Sequence, residues 1–399
     1  MKYRHPSLYY VIGNSEIVAD METVKPLEPF ADSVLMFFND LSKILLKEGR
    51  AYSDVATFGF WCRRSALLNE KAAYTDIASR LGKGVVFHST PSNVPVNFAF
   101  SFASGLLAGN ANIVRMPGKV FEQVDIICRA VNELITTTHV DMVPYIAFVK
   151  YPPIKEITDA FCSISSTRVV WGGDATIAEM RQSPLCPRAN EITFADRHSI
   201  AVIDADGYLA INEKEKIAQD FYNDTYFSDQ NACTAPRVIV WLGKDKEKAK
   251  QAFWVHAHKL IKEKYNMASV QAIGKRAAFY RAASEIDAQL VEDKEMGSDE
   301  FITRIKVDCL NGLMRYKYNS GFFFEYDADH IDDILPLCDE RCQTLTYCGI
   351  DKDVLHNLLK NQRPRGVDRI VPMGKSMDFT LIWDGHDLIR EMSRYIMIV

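Results

Sequence analysis

Short apolar segments alternate with helix-like segments from residue 82 onward, and this alternation strongly limits the possible folds. The strand-like segments are GVVFHS, NIVRM, YIAFVKY, TRVVWGG and SIAVID. The helix-like segments between them are NFAFSFASGLLA, VFEQVDIICRAVNELITT, EITDAFCSI and DATIAEMRQS. Strands that alternate with amphipathic helices are typical of βαβ units, whose strands run parallel. The sequence therefore predicts an α/β fold with a doubly wound parallel sheet.

A second alternation begins after residue 205, with RVIVWLG as its first strand and DKEKAKQAFWVHAHKLIKEKYN as a charged helix. A chain of 399 residues also exceeds the size at which one hydrophobic core keeps growing. We expect N-terminal helices and a first α/β domain over residues 1–200, and a second α/β domain over 201–370. We expect residues 371–399 to return to the first domain or to form an oligomer interface.

Composition excludes several classes of protein. A net charge of −5 argues against a nucleic-acid-binding protein, which normally has a basic surplus. No apolar segment approaches the roughly 20 residues of a membrane span, and the N-terminal residues lack the apolar core of a signal peptide. The nine cysteines are scattered through a long chain, which favours reduced thiols and a cytoplasmic protein.

Polar turns follow three of the predicted strands, where doubly wound sheets bind their ligands. HSTPSNVP contains Asn93, which is either the residue of an Asx turn or an amide donor to an oxyanion. In RMPGK, Arg115 and Lys119 are spaced to reach one anion, or are two solvated cations. In WGGD, Gly172 and Gly173 either lead a helix N-terminus towards a phosphate or form a tight turn that needs small residues.

Cys233 lies in the polar segment DQNACTAPR, between a predicted helix and a predicted strand. A loop can expose a thiol and stabilise its thiolate, so Cys233 is a candidate nucleophile; the alternative is a small residue in a turn. We expect no metal site. The three cysteines of CDERCQTLTYC lack the second ligand pair of a structural zinc site, and His256 and His258 would point to different sides of a helix.

Four segments, taken together, resemble the aldehyde dehydrogenase superfamily and, within it, the LuxC-type long-chain acyl-CoA reductases. They are GKGVVFHSTPSNVPVNFAFSFASGLLAGNANIVRMPGK, TRVVWGGDATIAEMR, DQNACTAPR and DRIVPMGKSMDFTLIWDG. The resemblance covers roughly residues 80 to 395. It implies an aldehyde-dehydrogenase-like fold, in which the first domain binds a nicotinamide cofactor and the second, catalytic domain carries the nucleophilic cysteine.

The resemblance also implies roles for individual residues. Cys233 is the expected nucleophile, Asn93 the oxyanion-hole amide and Glu191 the general base, although EITFAD departs from the usual Glu-Leu-Gly-Gly-Lys after that glutamate. Gly118 replaces the acid that NAD-preferring relatives often carry, so the resemblance favours NADPH. The expected cofactor-binding residues are Ser89, Thr90, Pro91, Arg115, Gly118, Lys119, Gly172 and Gly173.

The implied function is the NADPH-dependent reduction of a fatty acyl thioester, either acyl-CoA or acyl-protein, to an aldehyde through a covalent cysteine acyl-enzyme. Two alternatives remain open at this point. One is a cysteine acyltransferase or thioesterase without hydride transfer, and the other is a non-catalytic subunit of an acyl-processing complex. The implied partners are the acyl thioester substrate, an acyl-protein synthetase or acyl carrier, and further copies of the same chain in a homo-oligomer.

Overall fold

The computed structural model describes residues 3–91, 94–292 and 299–399. The strands are β1 (Tyr9–Ile12), β2 (Arg80–Gly82), β3 (Val85–Ser89), β4 (Ala111–Arg115), β5 (Ile146–Lys150), β6 (Thr167–Trp171), β7 (Asn190–Phe194), β8 (His198–Asp204), β9 (Pro236–Leu242), β10 (Ala288–Leu290), β11 (Thr303–Val307), β12 (Phe322–Asp327), β13 (Cys342–Cys348), β14 (Arg369–Pro372), β15 (Ile382–Trp383), β16 (His386–Asp387) and β17 (Ser393–Tyr395).

The helices are α1 (Ser15–Asp20), α2 (Asp32–Glu48), α3 (Ser53–Trp61), α4 (Arg64–Lys71), α5 (Asn97–Leu107), α6 (Glu122–Thr137), α7 (Lys155–Cys162), α8 (Asp174–Met180), α9 (Ala205–Ala210), α10 (Lys214–Asp224), α11 (Lys246–Lys264), α12 (Ser269–Ala283), α13 (Lys352–Gln362) and α14 (Leu388–Met392). None of the helices in the described ranges is long and apolar enough to cross a membrane.

The chain divides into two compact units. The first unit comprises Met1–Ala195 and Phe379–Val399, and the second comprises Asp196–Asp378. The last twenty or so residues belong to the first unit because β17 pairs with β2 and the side-chain amide of Asn110 donates to the Met392 carbonyl oxygen (2.9 Å).

The first unit contains a six-stranded sheet in the order β1-β5-β4-β3-β6-β7. All its neighbouring strands are parallel except β1, which pairs antiparallel with β5. The chain passes outward from β3 to β4 and β5 and then returns to β6 on the other side of β3. This reversal places a topological switch point beside β3, where doubly wound sheets bind ligands.

Burial explains why the central strands are rich in apolar residues, although β3 (VVFHS) and β6 (TRVVW) also carry buried polar side chains. Every residue of β3 and β6 is buried, since helices cover both faces of such a sheet. The edge strand β7, NEITF, is buried only at alternate positions. The sequence analysis did not predict β7, because a half-buried edge strand of five residues lacks the continuous apolar run of its neighbours.

The second unit contains a seven-stranded sheet in the order β10-β11-β12-β9-β8-β13-β14, parallel except for the β10–β11 pair. Its central strand β9 is buried along its whole length. SIAVID, which continues the first alternation in the sequence, is β8 of this second sheet. The fold is therefore mixed α/β with two parallel-rich sheets, as the alternation predicted.

Candidate active site

A cavity of about 600 Å³ lies at the carboxyl ends of the strands of the first unit. It is bordered by the residues that follow β3, β4, β5 and β6, which are the strands around the switch point. Of the eight predicted cofactor residues, the cavity-lining ones are Ser89, Thr90, Pro91, Arg115, Gly118, Gly172 and Gly173. The eighth, Lys119, is exposed and is not among the described residues that line the cavity. The topology thus brings together residues from three separate turns.

Arg115 is the cation that the structure fixes beside this cavity. Its guanidinium carbon lies 4.5 Å from the centre of the Tyr151 ring, and Nη2 donates to the Tyr151 carbonyl oxygen (3.4 Å). The Thr90 hydroxyl donates to the Arg115 carbonyl oxygen (2.7 Å), which joins the turns after β3 and β4. Burial raises the pKa of Tyr151 to about 12, so its ring presents a neutral face to the guanidinium.

Gly172 and Gly173 connect β6 to α8. A Cβ at position 172 would lie 3.0 Å from the Thr176 side chain, so packing of the helix against the turn calls for a small residue there. Gly173 is the N-cap of α8, and Asp174 places an acidic side chain in the first turn. The two glycines therefore let the backbone form a tight turn at the cavity, and the acid makes the start of α8 a poor phosphate site.

Trp171, at the end of β6, is held in the cavity wall by a chain of buried hydrogen bonds. Its indole Nε1 donates to Ser101 Oγ (2.9 Å), and Ser101 Oγ lies 2.7 Å from His88 Nδ1. His88 Nε2 lies 3.0 Å from Asn112 Oδ1, and Asn112 Nδ2 donates to the Asn110 carbonyl oxygen (2.7 Å). On its other side the indole stacks on Phe194, with 3.6 Å between ring centres.

These hydrogen bonds determine which ring nitrogen of His88 carries the hydrogen. Because the Asn112 amide nitrogen is committed to a carbonyl, its oxygen must accept, so His88 Nε2 carries the hydrogen and Nδ1 accepts from Ser101. Burial lowers the pKa of His88 to about 4, and the imidazole is therefore neutral throughout the physiological range. The network positions Trp171 without placing a charge under the cavity.

Glu191 occupies the second position of β7, at the amino end of that strand, whereas the cavity lies at the carboxyl ends. Its Oε2 accepts from Arg168 Nε (2.8 Å) and Nη2 (2.5 Å), and its Oε1 accepts from Arg181 Nε (2.7 Å). The structure does not bring Glu191 together with the predicted cofactor residues. Its geometry supports a role in ion pairing, and a general-base role receives no support from it.

Cys233 lies in the second unit and differs from most of the other cysteines in its exposure. It is half-buried, while Cys186 and Cys309 are exposed and the rest are buried. Burial raises the thiol pKa of Cys62, Cys128, Cys162 and Cys348, and contact with Cys338 together with burial raises that of Cys342. Buried thiols of this kind are inert. Cys233 is partly accessible to solvent, as a reactive thiol must be. The predicted oxyanion residue Asn93 lies outside the described residues.

The turn before Cys233 has an unusual backbone. Asp229 (φ 51°) and Gln230 (φ 52°) are consecutive non-glycine residues in the left-handed region, which costs of the order of 1–3 kcal/mol each. The buried Gln230 amide offsets this cost by bonding on both sides: Nε2 donates to the Pro236 and Phe322 carbonyl oxygens (3.1 and 3.4 Å), and Oε1 accepts from the backbone of Gly321 and Phe322 (2.7 and 3.1 Å).

Further contacts fix the Cys233 segment itself. Ser199 Oγ on β8 donates to the Cys233 carbonyl oxygen (2.7 Å). The neighbouring Thr234 hydroxyl lies 3.1 Å from Met377 Sδ, in the segment that follows β14. Asp224, whose pKa burial raises to about 6, accepts from the backbone of Gly374 (2.6 Å) and Ser376 (3.0 Å) and so holds that segment.

Arg237, on β9, is a buried cation four residues after Cys233. Nη1 donates to the Tyr318 carbonyl oxygen and to Asn319 Oδ1, both at 2.6 Å, and Nη2 donates to the Gln230 carbonyl oxygen. Burial lowers the pKa of Arg237 to about 10, while the Cys233 and Asp229 side chains act in the opposite direction. The guanidinium therefore stays charged at neutral pH, and an ionised Cys233 thiolate would interact favourably with it.

The sequence pattern did not single out two features of the candidate site, the turn after β5 and Arg237. Tyr151 and Lys155 line the cavity, and the rule that ligands bind at strand carboxyl ends applies to β5 as much as to its neighbours. That rule could have found them. No sequence signal marks Gln230 or Arg237, because their importance depends on burial and on partners such as Phe322 that lie about 90 residues away.

The profile of a family described as acyl-CoA reductase (LuxC) matches residues 64–395 of the chain. A search of curated protein sequences gives no match. Among solved structures, methylmalonate-semialdehyde dehydrogenase from Oceanimonas doudoroffii is similar with a TM-score of 0.66 and 12% identity, over 95% of this chain and 88% of that chain. NAD-dependent benzaldehyde dehydrogenase from Corynebacterium glutamicum gives 0.63 and 14%, over 96% and 87%. At these identities the structural likeness establishes an aldehyde dehydrogenase fold.

Proposed function

Because the chain belongs to the LuxC acyl-CoA reductase family, we propose that it reduces a fatty acyl thioester to an aldehyde with NADPH, through a covalent intermediate on Cys233. The family and the fold already make it an oxidoreductase that acts on aldehyde or acyl groups and uses a nicotinamide cofactor. The observation that supports a covalent intermediate on Cys233 is its environment. Cys233 is half-buried, follows the strained backbone at Asp229 and Gln230, and lies on the same segment as the buried cation Arg237.

Cys233 attacks the thioester carbonyl carbon, and its own backbone N–H is the proposed donor to the tetrahedral oxyanion. Asn93 is the second donor that the family resemblance implies. Each such donor is typically worth about 3 kcal/mol in the transition state. Collapse expels the thiol of the carrier and leaves the acyl group on Cys233. A nicotinamide cofactor, when bound, would supply the hydride that reduces the acyl carbon. The resulting thiohemiacetal collapses to aldehyde and regenerates Cys233, and this route needs no base to activate water, which agrees with the ion-paired state of Glu191.

The residues around the cavity fit a nicotinamide dinucleotide. The open space at Gly118, where an added Cβ would meet no atom within 4 Å, leaves room for a ligand beside the strand end. Arg115 is fixed beside it by Tyr151. Lys155 also lines the cavity but is paired with Asp159 (2.7 Å), and Glu179 is the acidic residue among the described residues of the lining. The fixed guanidinium of Arg115 and the lack of a carboxylate at position 118 favour a ligand with an additional phosphate, so we propose NADPH over NADH.

The cofactor proposal is tested by placing a carboxylate at the open position. Gly118→Glu should raise the Kd for NADPH at least about tenfold and leave that for NADH nearly unchanged, because only NADPH carries a 2′-phosphate, which we place beside position 118. Val120→Glu introduces the same single charge two residues away, at an exposed position outside the cavity lining, and should alter both constants little. Fluorescence titration measures both. Equal effects of the two variants on NADPH would contradict the proposed place of the 2′-phosphate.

The reaction is tested by the loss of NADPH absorbance with long-chain acyl-CoA. Cys233→Ala should abolish turnover, whereas Cys309→Ala, which removes an exposed thiol of the same unit, should keep it. Mass spectrometry after incubation with acyl-CoA and no cofactor should find the acyl group on Cys233. Full turnover by Cys233→Ala would exclude it as nucleophile. Acylation without NADPH binding would instead favour an acyltransferase or thioesterase. The same assay with acyl-protein or acyl carrier as donor identifies the partner that delivers the acyl group.

A further inference from the structure

The Arg237 side chain forms hydrogen bonds to the backbone segment that leads to Cys233. Its guanidinium binds the Gln230 carbonyl oxygen on one side and Asn319 Oδ1 on the other (2.6 Å). Asn319 Nδ2 in turn donates to Asn231 Oδ1 (2.6 Å), so the side chains of Arg237 and Asn319 brace residues 230 and 231. The guanidinium is thereby placed beside the turn that ends at Cys233.

The hydrogen-bond partners of Arg237 are neutral. Two are backbone carbonyl oxygens and one is a side-chain amide oxygen, so none of these contacts neutralises the guanidinium charge. Arg237 has only 8% of its surface exposed, and a charge with so little water around it acts strongly on its neighbours. A buried arginine that retains its positive charge is suited to stabilise a nearby anion.

The other charged groups on the segments around the turn have partners of their own or point to solvent. They are Asp224, Asp229, His198, Lys317, Lys375 and Asp378. The Asp229 carboxylate accepts from Tyr265 and Gln271 and also interacts with the Arg237 guanidinium, and Asp224 accepts from backbone N–H groups. Lys375 pairs with Asp378 (2.9 Å), His198 Nε2 contacts the Leu337 carbonyl oxygen (3.0 Å), and Lys317 is exposed.

We infer that Arg237 stabilises Cys233 in its thiolate form and so makes it reactive at neutral pH, an inference that rests on the nucleophilic role proposed for Cys233. A thiolate attacks a thioester carbonyl, whereas the thiol does not, so the fraction ionised sets the rate of acylation. The electrostatic interaction between the two side chains supports this direction of effect. Arg237 acts through Cys233 and is a positioning and charge-supplying residue.

The test measures the rate of Cys233 alkylation by iodoacetamide as a function of pH, followed by mass spectrometry of the peptide that contains Cys233. The peptide readout separates Cys233 from the exposed Cys186 and Cys309. In the unsubstituted protein the midpoint should fall at least about one pH unit below the ordinary cysteine value of about 8.5. Because alkylation needs neither cofactor nor acyl substrate, this result is independent of whether the protein is a reductase.

Substitutions then assign the effect to the charge. Arg237→Gln and Arg237→Met, the second of which keeps the apolar stem, should raise the midpoint by about one pH unit and slow alkylation at pH 7 about tenfold. Arg237→Lys should retain most of the effect. Asn319→Ala removes a hydrogen-bond partner but not the charge, and its midpoint should match the unsubstituted protein.

Three results would overturn the inference. The first is an ordinary midpoint in the unsubstituted protein, a measurement that needs no variant to fold. The second is an unchanged midpoint in a folded neutral variant. The third is an equal shift in Asn319→Ala, which would mean that hydrogen bonding rather than charge sets the reactivity. By contrast, a low alkylation midpoint for Cys233 together with no turnover on acyl-CoA would support the role of Arg237 and contradict the proposal that the protein is a reductase.

Discussion

The replacement Glu191→Gln separates a structural role of this residue from a catalytic one. Glu191 is only 15% exposed and receives both Nε and Nη2 of Arg168, whose side chain is 4% exposed. Removing the carboxylate charge leaves the Arg168 guanidinium buried with only neutral partners: the Met180 and Ser183 carbonyl oxygens (both 2.7 Å) and the Cys162 sulfur (3.4 Å).

The magnitude follows from the burial of the pair. Breaking a buried ion pair by removing one partner costs about 3–5 kcal/mol, and the partial exposure of Glu191 places this case near 3 kcal/mol. The second partner, Arg181, is 61% exposed, so Arg181→Ala removes a surface ion pair worth about 0.5 kcal/mol. Glu191→Gln should therefore reduce the stability several-fold more than Arg181→Ala, although both variants remove a member of the same three-residue cluster.

Hydrogen exchange followed by mass spectrometry is the suitable assay, because the chain has two compact units and a single unfolding free energy is not well defined. Peptides from β6 and β7 should exchange faster in Glu191→Gln, by a factor that corresponds to about 3 kcal/mol, and nearly normally in Arg181→Ala. Acyl-CoA reduction, measured on the folded fraction, should persist in both. Unchanged exchange together with lost turnover in Glu191→Gln would refute the structural reading and restore the general-base hypothesis.

Two further predictions concern the network beneath the cavity. Gly105→Ala would place a Cβ 2.0 Å from Asn112 Oδ1 and 2.9 Å from His88 Nε2, and should destabilise the first unit by about 1–3 kcal/mol, measured by hydrogen exchange of peptides from that unit. Gly118→Ala, with open space around it, should change the exchange little. His88 has a folded-state pKa of about 4 against an ordinary 6.5, so the unfolded chain takes up its proton first as pH falls. Its contribution to the stability of the first unit is present above pH 6.5 and is lost between pH 6.5 and 4, by up to about 3 kcal/mol. His88→Gln should flatten that part of the pH profile of urea midpoints, followed by hydrogen exchange of peptides from the first unit. An unchanged profile would contradict a buried neutral imidazole.

The sequence alone was sufficient to predict the type of fold and many of the residues that line the cavity. Alternation of β-branched runs with amphipathic helices is a local signal, and a right-handed βαβ crossover turns it into a parallel sheet with few alternatives. Because parallel strands present their carboxyl ends at one edge, the turns at Ser89, Arg115 and Gly172 were predicted to converge, and they line one cavity. The roles assigned to those residues remain predictions.

Only the tertiary structure decided what surrounds Glu191 and Cys233. Glu191 pairs with Arg168, 23 positions earlier in the chain, on a strand that the sequence pattern did not reveal. The left-handed backbone at Asp229 and Gln230 is held by partners as distant as Phe322, and the charge of Arg237 matters because the fold buries it. Periodicity and turn chemistry are properties of neighbouring residues. Burial, ion pairing and backbone strain are set by segments far apart in the chain, and they arise only once those segments have packed together.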